Sequence, residues 1–446
     1  MLPALSLVAG AAAAIAALYY HHCCRRGVDV GDYEIDIKVL GPVEAPAHAT
    51  AAILQVSGFV EMDGLVESYF ASLGEFGPDD FEQLRRMAGE PWKSRGASVL
   101  VQVINGTIYV ERQRFTSGLP WDRLRLHHIL GRLQRILARE TLPDLEFILN
   151  THDCPMRDLA GTHGPPVFGI TQCRGMRAVP LPQWFAWRDG AFEGWDLRMR
   201  HYQAAGGGVS WADRQPRAVF RGNVRPSVLQ FNTTTGRLQF VNVTRDKLDR
   251  LGRTRIYRLG QERPELLEVG LYGKGLDASR AIIDLLPDYE FRPPLSMGEQ
   301  AARFRHVVYA EGACGWADRL KILLVAGMLI LLQATPCHEF FQPLLQPWVH
   351  YVPVANDFAD LIAGIEWANA HQDEAREIID NAADLGLRLN SQAAWDYYLA
   401  ACLRRYARLM RYQPVRRPGT ERFLAETRCP NRRDLRCDDS ASFAKV

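Results

Sequence analysis

The sequence predicts an α/β fold arranged as two lobes, with a helical segment at the C-terminal end and a hydrophobic anchor at the N-terminal end. Three observations carry this. Short β-rich runs alternate with stretches of helical period, a Gly- and Arg-rich passage divides the body in two, and three helical stretches follow the last strand. With 446 residues, 47% hydrophobic and 23% charged, the chain suggests two or three domains, each able to bury a proper core, and is not a largely disordered protein. Lys and Arg number 53 against 51 Asp and Glu, for a net charge of +2, so nothing in the composition favours nucleic acid as a partner.

Residues 1–20 carry no charge and are mostly Ala, Leu, Val and Ile. As a helix, about 20 such residues reach roughly 30 Å, enough to cross a bilayer. His21, His22, Cys23, Cys24, Arg25 and Arg26 follow, so residues 1–26 fit a signal anchor; Ala14-Ile15-Ala16 also fits the cleavage site of a signal peptide. No basic residue precedes the apolar run, which argues against cleavage, and the positive flank after it would hold the body in the cytoplasm. Three sequons, Asn105-Gly106-Thr107, Asn232-Thr233-Thr234 and Asn242-Val243-Thr244, point instead to a lumen. Cys23 and Cys24 suit membrane-proximal palmitoylation or two idle thiols. The nine cysteines include no C-x-x-C pair or compact Cys/His cluster, so no structural zinc site is expected. Cys429 and Cys437 are spaced for a short disulfide in an oxidising compartment.

The first lobe spans residues 45–210. Two β-rich runs, 99–104 and 107–110, flank Asn105-Gly106 and predict a hairpin. Trp121-Asp122 opens a helix, with Asp122 as its N-cap, and Leu126, Ile129, Leu130, Leu133, Ile136 and Leu137 share one face. Pro143-Asp144 stops it, residues 145–149 form an apolar strand, and residues 167–171 form another. A linker over 206–217 leads into the second lobe, 215–385. There Ala218-Val219-Phe220 is a strand that enters a loop at Arg221-Gly222-Asn223. Residues 306–309 are a strand followed by Glu311-Gly312-Ala313-Cys314-Gly315, with a helix expected over 317–326. Residues 329–332 and 348–354 read as strands, and 357–369, 374–387 and 391–411 as helices. The segment 386–446 ends in a basic, Pro-containing tail.

Open α/β sheets bind ligands beyond the carboxyl ends of their strands. Two places have that form. Asp153 follows the strand ending at Leu149, where it either deprotonates an attacking hydroxyl or caps the following turn. His152 beside it is a weaker candidate. The loop Glu311 to Trp316 brings glycines to the start of a helix, where backbone can approach a phosphate. Arg319 and Lys321 oppose the helix dipole there, so they await an anion such as a diphosphate or are merely solvated. Arg221 offers another donor to that anion or makes a structural ion pair. The loop is neither G-x-x-x-x-G-K-[ST] nor G-x-G-x-x-G, which argues against nucleotide hydrolysis and against a nicotinamide enzyme.

The run Leu142-Pro143-Asp144-Leu145-Glu146-Phe147-Ile148-Leu149-Asn150 with Asp153 and Pro155 resembles the protein O-glucosyltransferase and capsule-associated xylosyltransferase family, glycosyltransferase family 90. Phe220-Arg221-Gly222-Asn223 is similar to its F-R-G-[SN] motif, and Tyr309 through Lys321 to its Gly/Ala-rich loop. Glu339-Phe340-Phe341, Pro347 through Val354 and Trp395 through Tyr398 complete a collinear set. The resemblance implies a GT-B fold, two Rossmann-like lobes facing a cleft. It implies a UDP-sugar, UDP-glucose or UDP-xylose, in the second lobe and a protein or polysaccharide acceptor facing the first. It further implies an inverting transfer with Asp153 as general base, no metal and no cofactor besides the donor. Donor contacts would come from Phe220, Arg221, Gly222, Asn223, Glu311, Gly312, Ala313, Cys314, Gly315, Trp316, Arg319 and Glu339. It also implies an anchored enzyme of the endoplasmic reticulum or Golgi lumen. Trp316-Ala317-Asp318 stands where the family often has Ser before its basic residue, which removes a hydroxyl and adds a carboxylate near the expected phosphates. That departure keeps a second expectation in view: an inactive, membrane-anchored member that binds a glycan or nucleotide sugar.

Overall fold

The computed structural model describes residues 60–90, 96–154, 164–183, 187–188, 191–192, 199–204, 208–232, 234, 237–273, 277–312, 314–424 and 443–444, and among these described residues two helices precede the first strand. The expected anchor, Pro155, Ala313, Cys429 and Cys437 lie outside those residues. Helix α1 (Val60–Phe70) buries Met62, Leu65, Val66, Tyr69 and Phe70 at helical spacing, and α2 (Pro78–Ala88) buries Phe81, Leu84 and Ala88. Neither is among the elements expected from the sequence.

Strands β1 (Ser98–Ile104) and β2 (Thr107–Val110) form the expected hairpin. Asn105 and Gly106 take φ of 49° and 71°, the two positive values a type I′ turn requires. Helix α3 (Pro120–Leu137) buries Leu126, Ile129, Leu130, Leu133 and Ile136 as its pattern predicts. Its start differs from expectation: Leu119 is the N-cap and Pro120, with its preset φ, begins the helix. Asp122 therefore lies inside the first turn, buried, accepting a 2.6 Å hydrogen bond from the Ser117 hydroxyl. β3 (Leu145–Asn150) runs antiparallel to β1, while β4 (Val167–Gly169) and β6 (Ala178–Pro180) extend the sheet in parallel. Between them lies the short β5 (Gln172–Cys173), and β7 (Trp187–Arg188) pairs with β8 (Ala191–Phe192) as a separate ribbon.

The second sheet begins at β9 (Gln215–Asn223), directly after a 3₁₀ turn at Trp211–Asp213 inside the expected linker; Arg221-Gly222-Asn223, expected as a loop, continue this strand because they pair in parallel with Gly270, Leu271 and Tyr272. A hairpin of β10 (Ser227–Asn232) and β11 (Arg237–Asn242) and helix α4 (Gly252–Glu262) lead to β12 (Leu267–Tyr272). Helices α5 (Asp277–Ile283) and α6 (Met297–Arg303) lead to β13 (Phe304–Tyr309). The one-turn α7 (Leu320–Leu323) leads to β14 (Leu329–Gln333), then β15 (Cys337–His338) and β16 (Val352–Val354). The five-stranded sheet has the order β12-β9-β13-β14-β16, with every neighbouring pair parallel. Ala218, Phe220, Val308, Leu329 and Leu331 bury one face, while Val219, Val307, Tyr309, Ile330 and Leu332 bury the other, as a parallel sheet requires. The second of these faces shares one continuous core with β1, β3 and α3.

Two expected elements are shorter than the sequence suggests. In place of a helix over 317–326 there is only α7, because the amide of Ala317 is taken by the Tyr309 hydroxyl at 2.8 Å instead of opening a helix. The strand expected over 348–354 starts at Val352, since Trp348 has φ of 63°, a left-handed value no strand accommodates.

Helices α8 (Leu361–Ala370), α9 (Gln372–Leu389) and α10 (Gln392–Ala407) follow the expected pattern. α10 packs on α1 and α3, and β17 (Glu421–Phe423) then pairs with β2 and with β18 (Phe443–Ala444). The C-terminal segment thus completes the first sheet, whose order is β18-β17-β2-β1-β3-β4-β6. Arg417 of the basic tail fixes it there with two 2.8 Å bonds to the buried Glu146 carboxylate. Among the described residues no helix is long and apolar enough to cross a membrane.

Candidate functional site

Counted in chain order, the parallel strands lie 2-1-3-4-5, a doubly wound arrangement whose crevice opens at the carboxyl ends of its first and third strands, here β9 and β13. β9 delivers Phe220, Arg221, Gly222 and Asn223 to that edge, and β13 runs into Glu311, Gly312, Cys314, Gly315 and Trp316. One buried guanidinium holds the two strand ends together. Arg253 of α4 donates to the carbonyls of Asn223 at 2.8 Å, Glu311 at 3.0 Å and Ala310 at 3.3 Å. Arg253 and Arg319 both lie against the Phe220 ring, 5.4 and 5.7 Å from its centroid. Arg319 also donates to the carbonyl of Arg221 at 2.8 Å. Arg225 is buried beside Gly312, so the edge is rich in cations.

The loop after β13 returns tightly. The Gly312 amide donates to the Trp316 carbonyl at 2.7 Å, and a Cβ on Gly312 would stand 2.8 Å from that same oxygen. Gly315 has φ of 81°, and a Cβ there would stand 2.9 Å from the sulfur of Cys337. Only glycine fits either place.

Arg221 does not aim its guanidinium at this edge. Its Nη2 pairs with Glu268 of β12 at 2.8 Å, a carboxylate shared with Arg217 and Arg292. Gly270 makes room, since a Cβ there would stand 2.7 Å from the Arg221 side chain. Burial opposes ionisation of Glu268, yet the guanidinium groups win and hold its pKa below the usual carboxylate value.

The loop after β3 is fixed by its own side chains. The Thr151 amide donates to Ala97 at 3.0 Å, the His152 amide to Asn150 Oδ1 at 3.1 Å, and the Cys154 amide to His152 Nδ1 at 2.9 Å. His152 is thereby occupied in shaping the turn. Asp153 retains 30% side-chain exposure and makes an ion pair with Arg125 of α3, which is fully buried. The Asp153 carbonyl accepts the indole N–H of Trp316 at 2.9 Å, and Cys154 is disulfide-bonded to Cys314. The structure therefore joins Asp153 to the loop after β13 across 160 residues of sequence. A second disulfide, Cys173–Cys337, crosses between β5 and β15.

Glu339 is also brought in, through Lys321. This ammonium meets Asp318 and, at 2.5 Å, Glu339, so the cations expected to await an anion include one already held by carboxylates. Burial pushes the Glu339 carboxyl upward while Lys321 opposes it. Burial likewise disfavours charge on Lys321, but its two carboxylates raise its pKa overall. Glu311 is different. It is 2% exposed, neither carboxyl oxygen has a hydrogen-bond partner among the described residues, and burial pushes its pKa up to about 8 against the opposing charge of Arg253. At neutral pH it is a carboxylic acid with an O–H to donate.

Sequence reasoning passed over Arg125, Gln183, Arg225, Arg253 and Glu268. Single arginines in helices or after strands carry no spacing pattern, and the four disulfide cysteines lie too far apart in the chain to suggest their pairing. A buried-face argument on α3 offered the one available signal, because Asp122 and Arg125 interrupt its first turns with charge on the side facing the sheet.

The family model Glycosyl transferase family 90 matches residues 84–443. Human Protein O-glucosyltransferase 3 is 25% identical over 348 residues, covering 73% of this chain and 58% of that protein. Bovine Protein O-glucosyltransferase 1 is 24% identical over 341 residues, covering 72% of this chain and 75% of that protein. The O-glucosyltransferase rumi of Drosophila pseudoobscura pseudoobscura is 24% identical over 227 residues, 48% of each chain. The chain thus spans little more than half the length of the Protein O-glucosyltransferase 3 sequences it matches.

Proposed function

The chain belongs to glycosyl transferase family 90, and from that premise we propose an inverting glycosyltransferase that moves glucose or xylose from a UDP-sugar to a hydroxyl of a protein or glycan acceptor. The observation that carries this reading is the junction of Asp153 with the loop at the β9/β13 crevice, through the Trp316 hydrogen bond and the Cys154–Cys314 disulfide. A base and a diphosphate site must lie on opposite sides of one sugar for an in-line displacement. A junction between a partly exposed carboxylate and a Gly-rich strand end supplies both in one place.

In the proposed step the acceptor hydroxyl gives its proton to Asp153 as its oxygen bonds the anomeric carbon. The bond from that carbon to the diphosphate breaks, and UDP leaves with the electron pair. The cations at the crevice, Arg319 and Arg225, offset the charge developing on the departing diphosphate. Backbone of Gly222, Asn223 and the loop Gly312 to Trp316 approaches the donor, Phe220 and Arg221 shape the strand end behind it, and the neutral Glu311 and the Lys321-bound Glu339 offer polar contacts to its sugar or ribose. The two sheets then serve as GT-B lobes, the first, over residues 45–210, facing the acceptor and the second, over 215–385, holding the donor.

A lumenal setting is supported by the two disulfides, which persist in oxidising compartments, and residues 1–26 would anchor or direct the chain there. The test is a panel of UDP-sugars incubated with the purified protein, reading UDP release and thermal stabilisation. Release from UDP-glucose or UDP-xylose without added metal is the expected result; a panel in which no UDP-sugar is turned over contradicts the proposal.

A further inference from the structure

Asp153 is held at its side chain by Arg125, which takes no part in the proposed displacement, and at its carbonyl by the indole of Trp316, a residue that otherwise approaches the donor only through its backbone. At the side chain, Arg125 makes an ion pair with Oδ1, a buried oxygen without an aligned hydrogen bond, which leaves Oδ2 as the oxygen able to receive the acceptor proton. Arg125 is itself braced, donating to the Thr151 carbonyl at 3.1 Å and to Gln183 Oε1 at 3.4 Å. Gln183 in turn donates to Asp318 at 2.8 Å, and Asp318 meets Lys321. The Lys321 ammonium lies 5.9 Å from the centre of the Trp316 ring, and the Trp316 indole returns to the Asp153 carbonyl. The circuit closes on the residue where it began.

The residue types suit this arrangement. A guanidinium spreads its donors over three nitrogens in a rigid plane, so one side chain can reach Oδ1, a backbone carbonyl and an amide oxygen that lie apart; an ammonium has three donors, but all leave a single nitrogen on a flexible stem. Trp316 offers one N–H and a face that attracts a cation, which matches its two contacts. The adjacent Cys154–Cys314 bond prevents the two loops from separating.

We infer that Arg125 and Trp316 are positioning residues: they aim the Asp153 carboxylate and make the base-bearing loop and the donor loop a single rigid unit. The inference rests on Asp153 being the base. Misplacing a reacting group by about 1 Å costs on the order of 10²-fold in rate, so loosening the circuit should be felt in turnover and not in nucleotide binding.

The experiment compares wild type, Trp316→Phe, Arg125→Lys, Asp153→Asn and the double variant Trp316→Phe/Asp153→Asn. The substrate is UDP-glucose, or whichever UDP-sugar the panel identifies. Measured are kcat, KM, UDP affinity by calorimetry and the melting temperature. Trp316→Phe keeps the ring and is the variant most certain to fold. Each single positioning variant is expected to lose roughly 10- to 100-fold in kcat with UDP affinity within about twofold. In the Asp153→Asn background, Trp316→Phe is expected to cause no further loss, since it acts only through the missing carboxylate. Wild-type kcat in both positioning variants overturns the inference, as does a further loss in the double variant, which would mark a general structural role. Should Asp153→Asn itself turn over normally, the base assignment falls, and the inference with it. Absence of turnover by the wild type with every UDP-sugar refutes both.

Discussion

Glu311 is a buried acid whose two oxygens find no partner among the described residues at the crevice, and it gives the molecule a pH dependence with a definite sign. Its folded pKa of about 8 stands above the ordinary carboxylate value of 4.5, so the folded state holds a proton the unfolded chain releases. That contribution is present in full below the unfolded pKa and is lost as pH rises through about 8. Across this window it amounts to at most about 5 kcal/mol. Glu311→Gln keeps the shape and the neutrality, so its melting temperature is expected to gain on the wild type progressively between pH 5 and pH 9. A gap that stays constant over that range would contradict the assignment. His306, inside β13, acts in the other direction: burial lowers its pKa to about 4, so its contribution is lost as pH falls below its ordinary 6.5. At this scale the sequence was legible where a residue type has few uses. Asp153 after a strand and glycines at Gly312 and Gly315 could be picked out. The partner of Arg221 could not, because nothing in a one-dimensional pattern shows that Glu268 lies on the adjacent strand.

At the scale of elements, the hairpin of β1 and β2 was readable because Asn105-Gly106 admits few conformations, and α3 because six apolar residues keep one period. The helix expected over 317–326 was not, because its first amide is captured by a tyrosine from a neighbouring strand. The tail offers the same lesson. A basic, Pro-containing stretch reads as a solvated end, yet Arg417 grips Glu146, a residue of β3 that would otherwise be a buried charge without a cationic partner among the described residues. Tyr412 and Gln102 share that carboxylate with bonds of 2.9 Å each. Arg417→Met removes the charge and keeps most of the stem. Its expected cost is about 3 kcal/mol, read from denaturant midpoints, because breaking such a pair leaves the acid stranded. Adding Glu146→Gln should recover much of the loss. An Arg417→Met protein as stable as wild type would show that the tail is not part of the first sheet's support.

For the whole molecule, the alternation of strands and helices correctly indicated an α/β protein, but the order 2-1-3-4-5 places β12 and β13 on either side of β9 out of chain order, and the return of α10 and β17 to the first sheet joins segments hundreds of residues apart. So do both disulfides, at separations of 160 and 164 residues. These long-range links matter most for function, since one of them sets Asp153 against the loop at the crevice. The proposed chemistry therefore depends on a contact between the two halves, and its most direct test is at that contact. Asp153→Asn removes the base, keeps the size of the side chain and leaves the Trp316 hydrogen bond to the backbone available. Initial rates of UDP release should fall about 10²- to 10⁴-fold, the span of one general base, with calorimetric UDP affinity within about twofold of wild type. A variant that binds UDP and turns over UDP-sugar at the wild-type rate would contradict the account.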